Sequence, residues 1–153
     1  MSPPTVWGPH VWTLFHTMSH CISEQSFPHL YKSMFSIFSL ICKNLPCPYC
    51  ASDATLFLAK IKIENIKTKQ EFINMMYVFH NYVNAKTKKP LFNFTNITQY
   101  GKLNLLNVIR SFIQTYNTKG NMNLINESFQ RNLAISQFKR WIKQNIRHFA
   151  IIR

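Results

Sequence analysis

Cys47-Pro48-Tyr49-Cys50 carries the plainest chemistry in the chain: two thiols two residues apart, with Pro46 ahead of them and Pro48 between. At this spacing the pair either closes a small disulfide ring or supplies half of a metal site. A structural zinc site usually takes a second Cys or His pair, and no further CxxC and no HxxxH follows the motif. His16 and His20, four apart, keep a Cys2His2 site open.

A second group of polar residues sits where apolar ones are expected. His80-Asn81-Tyr82-Val83-Asn84 lies on a helix whose inner positions are otherwise Phe72, Met75, Met76, Phe79 and Val83. A buried amide or imidazole without a partner costs about 1–3 kcal/mol, so several together suggest a polar ligand inside a helical bundle. Lys86, Lys88 and Lys89 follow at the end of that helix. They either complement its dipole or meet a phosphate-bearing ligand held by His80 and Asn84. Earlier in the chain Trp12 and His16 are four apart and share a helix face, either as a core Trp over a satisfied His or as part of the same site.

The elements that must position these groups read as helices. Pro9 suits a first helical position, and Val11, Trp12, Leu14, Phe15, Met18 and Ile22 form an apolar stripe over His10–Ile22. A second helix runs from about His29 to Asn44 behind Pro28, with Leu30, Met34, Ile37, Phe38 and Ile41 in helical period. The cysteine pair therefore follows a helix, whereas a thioredoxin-type CxxC follows a buried strand. Ala51–Lys60 reads as a third helix, which puts Cys47 just before a helix N-terminus or Cys50 in its first turn. The unpaired N–H groups there favour a thiolate, lowering its pKa from about 8.5 toward roughly 3.5–7.5. Thr68 and Glu71 have capping-box spacing for a fourth helix over Lys69–Lys86. A short helix near Ile97–Tyr100 ends at Gly101, and two amphipathic helices follow at about Leu103–Tyr116 and Ile125–Phe149, separated by Lys119-Gly120-Asn121.

The chain has 153 residues, 46% of them hydrophobic, which suits one packed domain with an appendage. No apolar run approaches the roughly 20 residues of a membrane helix, and the first residues resemble neither a signal nor a transit peptide, so a cytoplasmic address is expected. Four cysteines are too few for a disulfide scaffold and point to metal or redox work. The net charge of +13 attracts nucleic acid, anionic lipid or phosphorylated ligands without choosing among them. Much of it lies after Lys102, where Glu127 is the only acid.

Three separated signals occur in order: Trp7-Gly8-Pro9 with Trp12 and His16, then Cys47-x-x-Cys50, then His80-Asn81-x-Val83-Asn84-x-Lys86-x-x-Lys89-Pro90. Together they resemble the Erv/ALR family of FAD-linked sulfhydryl oxidases over roughly residues 5–101. The resemblance implies an all-α fold, a bundle of four main helices plus a short fifth enclosing FAD, with residues 102–153 as a basic helical C-terminal extension. It implies cofactor contacts from Gly8, Trp12 and His16 on the first helix and His80, Asn81, Val83 and Asn84 on the fourth. Lys86 and Lys89 fall to the pyrophosphate and ribose side, and Tyr100 falls near a position where relatives carry Trp. A substrate dithiol would attack Cys47, the outward sulfur, while Cys50 faces the flavin. Electrons would pass to dioxygen, giving hydrogen peroxide. Relatives are commonly homodimers through helices one and two.

The chain departs from many relatives in lacking a second, shuttle cysteine pair. Cys21 and Cys42 read as small buried hydrophobes. A single-CxxC enzyme of this kind is similar to versions in large cytoplasmic DNA viruses, where a thioredoxin-like or small dithiol protein carries electrons in. Two other readings stand beside it: a flavin-free dithiol oxidoreductase, and a basic helical protein that binds nucleic acid or another partner through its extension and keeps the cysteine pair as structure.

Overall fold

A computed structural model describes residues 3–117 and 125–151. Six α-helices run in order: α1 (Pro4–Cys21), α2 (Phe27–Lys43), α3 (Pro48–Ala59), α4 (Lys69–Lys86), α5 (Leu105–Tyr116) and α6 (Ile125–Asn145). Short 3-10 turns occupy Ile63–Asn65 and Ile146–His148, and a longer 3-10 segment spans Phe94–Lys102. The all-α architecture expected from the sequence is present. Among the described residues the only β-type pairing is an antiparallel bridge between Ile22 and Phe149, and no helix is long and apolar enough to cross a membrane.

α1 begins earlier than the sequence suggests, because Pro4 takes the first-turn position expected of Pro9. Pro9 falls inside the helix, where its ring removes the bond to the Thr5 carbonyl. Thr5 is exposed, so that carbonyl can turn to water. The helix is buried on more than one side: Trp7, Val11, Leu14, Phe15 and Met18 form its stripe, and His16, Thr17 and Ser19 are buried too. Such a helix belongs at the centre of a bundle. It packs most extensively against α5, then against α4 and the Phe94–Lys102 segment.

α2 buries Phe27, Tyr31, Met34, Phe38, Ile41 and Cys42 along one stripe and carries α3 and α6. α3 starts three residues ahead of the expected Ala51. Pro48 supplies its fixed φ in the first turn and the Cys47 sulfur caps it by accepting the Cys50 N–H at 3.1 Å. α4 has the expected bounds. Thr68 Oγ1 accepts the Glu71 N–H at 3.1 Å, while its hydroxyl donates to the Glu71 carboxylate at 3.2 Å; the expected reach of Glu71 to the cap is thus made to the hydroxyl.

The expected short fifth helix is the 3-10 segment. Asn93 Oδ1 starts it by accepting from the Thr95 N–H and hydroxyl, both at 3.0 Å. In a 3-10 helix residues three apart eclipse, which brings Ile97 and Tyr100 together onto Ile73. The last expected helix ends as α-helix at Asn145. Beyond it, Ser23 N–H donates to the His148 carbonyl at 2.8 Å and Ala150 N–H to the Cys21 carbonyl at 2.7 Å, so the chain pairs with the α1–α2 link. The expected break at Lys119-Gly120-Asn121 lies outside the described residues.

Residues beyond Lys102 share the core of those before it. Phe112, Tyr116 and Phe138 are fully buried in one cluster with Phe15, Phe38 and Phe72. The Tyr116 hydroxyl donates to the Ile41 carbonyl at 2.8 Å, and Trp141 Nε1 donates to Ser33 Oγ at 3.0 Å, tying α5 and α6 to α2. The basic side chains Lys139, Arg140 and Lys143 stay exposed on α6.

Candidate active site

Cys47 and Cys50 are bonded to each other at the start of α3. Both are half-buried and line a cavity of about 930 Å³ enclosed by α1, α3, α4 and the chain after α4. That size is at the upper end of the roughly 300–1,000 Å³ range of ligand sites and suits a dinucleotide better than a small metabolite. The Cys50 N–H aimed at Cys47 Sγ, together with the helix dipole, would stabilise negative charge on that sulfur once the bond is reduced.

The opposite wall is aromatic. Trp12 and His80 stack with centroids 4.2 Å apart and planes 9° from parallel, and Phe92 lies on His80 at 5.1 Å and 17°. These stacked rings suit a flat heteroaromatic ligand. His80 Nδ1 meets His16 Nε2 at 2.9 Å, one ring donating and the other accepting according to tautomer. Burial, reinforced by the charge of His80, lowers the His16 pKa to about 3. Burial and then Lys89 lower that of His80 to about 4. Both rings are therefore neutral near pH 7 and serve as hydrogen-bonding groups. His16 Nδ1 and Thr17 Oγ1 are buried without hydrogen-bond partners.

The end of α4 builds the cavity's polar rim. Lys88 takes a left-handed backbone, φ 59°, and the Lys89 N–H returns to the Asn84 carbonyl at 2.8 Å while the Lys88 N–H meets the Ala85 carbonyl at 3.3 Å. This is a Schellman-type stop with Lys where Gly is usual. It reverses the chain so that Asn84 Nδ2 donates to the Pro90 carbonyl at 3.3 Å. Asn81 then grips Phe92 twice: Nδ2 donates to its carbonyl at 3.1 Å, and Oδ1 accepts its N–H at 2.6 Å. The polar inner positions of α4 thus have partners and fix the wall that carries Phe92.

Of the residues singled out in the sequence, Gly8, Trp12, Val83, His80, Asn84, Lys86 and Lys89 line the cavity with both cysteines. His16 and Asn81 stand behind its wall, supporting His80 and Phe92 respectively. A Cβ built on Gly8 meets nothing within 4 Å, so the backbone there is open to a ligand. Sequence reasoning did not place Phe92 or Asp53 at the site, and had Trp7 only as part of the first motif and Phe79 only as an apolar inner position; all four line the cavity. Asp53 pairs with Lys86 at 3.3 Å, and the signal for it is a lone acid beside a CxxC in so basic a chain. Tyr100, whose role the sequence left open, lines the cavity and stacks on His16 at 4.7 Å. Cys21 and Cys42 are buried and unbonded, and burial raises both thiol pKa values. Among the described residues no group of three or more His, Cys, Asp or Glu is arranged to hold a metal ion.

Residues 9–102 match the Erv1 / Alr family. The chain belongs to this family. The matched stretch contains the disulfide, His16, His80 and the whole of α4. A protein of Invertebrate iridescent virus 6 named "Putative FAD-linked sulfhydryl oxidase 347L" is 28% identical over 94 residues, covering 58% of this chain and 85% of the relative. An FAD-linked sulfhydryl oxidase of African swine fever virus is 25% identical over 104 residues, covering 67% of this chain and 86% of its own. A mitochondrial FAD-linked sulfhydryl oxidase of Schizosaccharomyces pombe is 29% identical over 87 residues, 56% of this chain and 48% of the relative. No solved structure gives a significant match.

Proposed function

We propose that the protein is an FAD-linked sulfhydryl oxidase that forms disulfides in dithiol substrates with dioxygen as the final acceptor. The observation that carries this reading is the Cys47–Cys50 disulfide opening on the same cavity as the stacked Trp12–His80–Phe92 wall. FAD fits the cavity by chemistry as well as size. Trp12 and His80 offer flat faces, Asn84 a polar side chain, Lys86 and Lys89 cations for the pyrophosphate, and Gly8 an open backbone. His16 and Asn81 act as positioning residues behind this set.

A substrate thiolate attacks Cys47 Sγ, forming a mixed disulfide and breaking the Cys47–Cys50 bond, so that Cys50 leaves as a thiolate in the first turn of α3. The second substrate thiol attacks the mixed disulfide and leaves as oxidised product. Cys47 departs as a thiolate held by the Cys50 N–H, and the electron pair now rests on the two cysteines of the protein. FAD, held by Trp12, His80, Asn84, Lys86 and Lys89, would supply the two-electron acceptor for this pair and the route from there to dioxygen, which with two protons gives hydrogen peroxide. Residues 1–101 carry this chemistry and 102–153 support it. A thioredoxin-like or other small dithiol protein in the cytoplasm is the proposed electron donor. Because α5 lies on α1 and α6 on α2, we favour a monomer, or a dimer built on other surfaces, over a homodimer through helices one and two.

The test is the visible spectrum of purified protein before and after anaerobic dithiol, followed by oxygen uptake. A flavin band that bleaches with dithiol, and oxygen consumption with peroxide formation, are expected. Protein that stays colourless after reconstitution with FAD overturns the reading, and thiol–disulfide exchange without oxygen uptake would favour the flavin-free oxidoreductase.

A further inference from the structure

α3 has a second concavity on its other side, of about 410 Å³, walled by the end of α2 and the beginning of α6. Its lining includes Lys43, Asn44, Ser52, Thr55, Gln130 and Arg131, with exposed Leu56 at its edge. Leu45 lines both cavities, and Pro48 and Ala51, each next in sequence to a reactive cysteine, belong to this one. A polypeptide presenting a thiol to Cys47 therefore has this concavity beside it.

Arg131 is the unusual member. Only 2% of it is exposed, its Nη2 reaches Ser128 Oγ at 3.5 Å, and its Nε has no hydrogen-bond partner. A guanidinium taken out of water without a counter-charge is among the most unfavourable placements a side chain can have. Among the described residues the one ion pair is Lys86–Asp53, so Arg131 has no carboxylate of its own there. Glu127 lies on the same rim without pairing with it, and Lys43 faces the concavity from α2. Two cations against one acid leave the lining positive, on a chain whose net charge is +13.

We infer that this concavity docks an acidic segment of the dithiol protein substrate, with a substrate Asp or Glu carboxylate pairing with Arg131 and Lys43 while a neighbouring substrate cysteine reaches Cys47. The inference rests on the oxidase reading and narrows it to substrates with acidic residues next to the reacting cysteines. A guanidinium's forked donor set suits a carboxylate, and Tyr49 beside the disulfide and Leu56 at the edge of the concavity are both exposed.

The experiment compares flavin-loaded protein on three substrates: dithiothreitol, a CxxC peptide flanked by Asp and Glu, and its Asn and Gln counterpart. The acidic peptide should show a KM lower by about tenfold or more, the scale of a charged hydrogen bond, and added salt should shrink the difference. Arg131→Gln should raise that KM toward the amide peptide's value and leave turnover of dithiothreitol in place. Should Arg131→Gln fold poorly, Lys43→Glu with Gln130→Glu, both at exposed positions, supplies the same comparison. Fluorescence anisotropy of a labelled acidic peptide with Ser in place of Cys reads docking without turnover. Equal KM values for the two peptides, or equal anisotropy for the acidic and amide versions, overturn the inference while oxidation of dithiothreitol leaves the oxidase reading standing. Absence of any dithiothreitol oxidation, with anisotropy still distinguishing the peptides, overturns the oxidase reading and leaves the anion-docking surface.

Discussion

The stretch before Leu103 and the stretch after it share one core and are differently equipped. Every side chain lining the large cavity comes from the first, ending at Tyr100. The second contributes none of them, yet its Phe112, Tyr116 and Phe138 are as inaccessible as Phe15 or Phe72. In this molecule the reactive groups and a good part of the stability thus sit on separate lengths of chain joined by one core. Loss of a reactive group from the first should appear as lost chemistry in a folded protein, and loss of a buried aromatic from the second as lost folding with intact chemistry in whatever remains folded.

The sharpest form of that contrast is loss of the sulfurs. Cys47→Ala and Cys50→Ala should each reduce oxygen uptake with dithiols to background while flavin content stays close to wild type; the thermal midpoint should fall only modestly, through loss of the short disulfide loop and, for Cys47, of the α3 cap. Retained turnover in either variant would break the assignment of the chemistry to this pair. In the second stretch, Phe112→Ala empties a fully buried site between α5 and its neighbours and should cost about 3–5 kcal/mol in denaturant unfolding. Turnover per bound flavin in the surviving folded fraction should be unchanged. A proportional fall in turnover per flavin would mean that α5 shapes the cavity directly.

A titration marks out the first stretch alone. His16 and His80 have pKa values lowered to about 3 and about 4 in the folded chain, against about 6.5 when unfolded. Above pH 6.5 both states leave these rings neutral and the histidines add no pH dependence. As pH falls below 6.5 the unfolded chain takes up protons that the folded chain refuses, so stability declines with falling pH, by on the order of 1 kcal/mol per pH unit for the hydrogen-bonded pair. The loss continues until each folded pKa is reached, near 4 for His80 and near 3 for His16. The midpoint of urea unfolding followed from pH 7 to pH 4.5 should show this slope, and His16→Gln should flatten it. An unchanged slope in that variant would place the acid sensitivity elsewhere.

What the sequence could and could not convey follows the same physical lines. The helical spacing of apolar residues identified α1 to α4, and the Thr68 cap fixed the start of α4. Proline misled at α1: either Pro4 or Pro9 could open a helix, and only the burial of Trp7 shows that the first one does. The cysteine pair and His80 were visible because reactive or polar residues interrupt apolar patterns. Phe92 was not, since an aromatic after a helix stop looks like any loop residue until Asn81 is seen to hold its backbone from both sides. The extension's packing on α1 and α2 was equally hidden, because the apolar faces of α5 and α6 do not say which helix they cover. Arg131 counted as one more positive charge on a basic tail, and only its burial distinguishes it.

The smallest predicted effect tests whether the first stretch trades stability for its cavity. Gly8 lies inside α1 with an ordinary backbone and open space where a Cβ would stand. A glycine within a helix costs about 0.5–1 kcal/mol relative to alanine, through the freedom it loses on folding. Gly8→Ala should therefore raise the stability of flavin-free protein by about that amount, with no neighbour to resist the added methyl. The methyl projects toward the cavity, so a cofactor packed against this turn would meet it and bind less tightly. Thermal midpoints measured with and without FAD should then move in opposite directions, up for the apoprotein and less far apart between the two forms. Equal gains in both forms would show that the cofactor keeps clear of Gly8 and that the turn is held open for another reason.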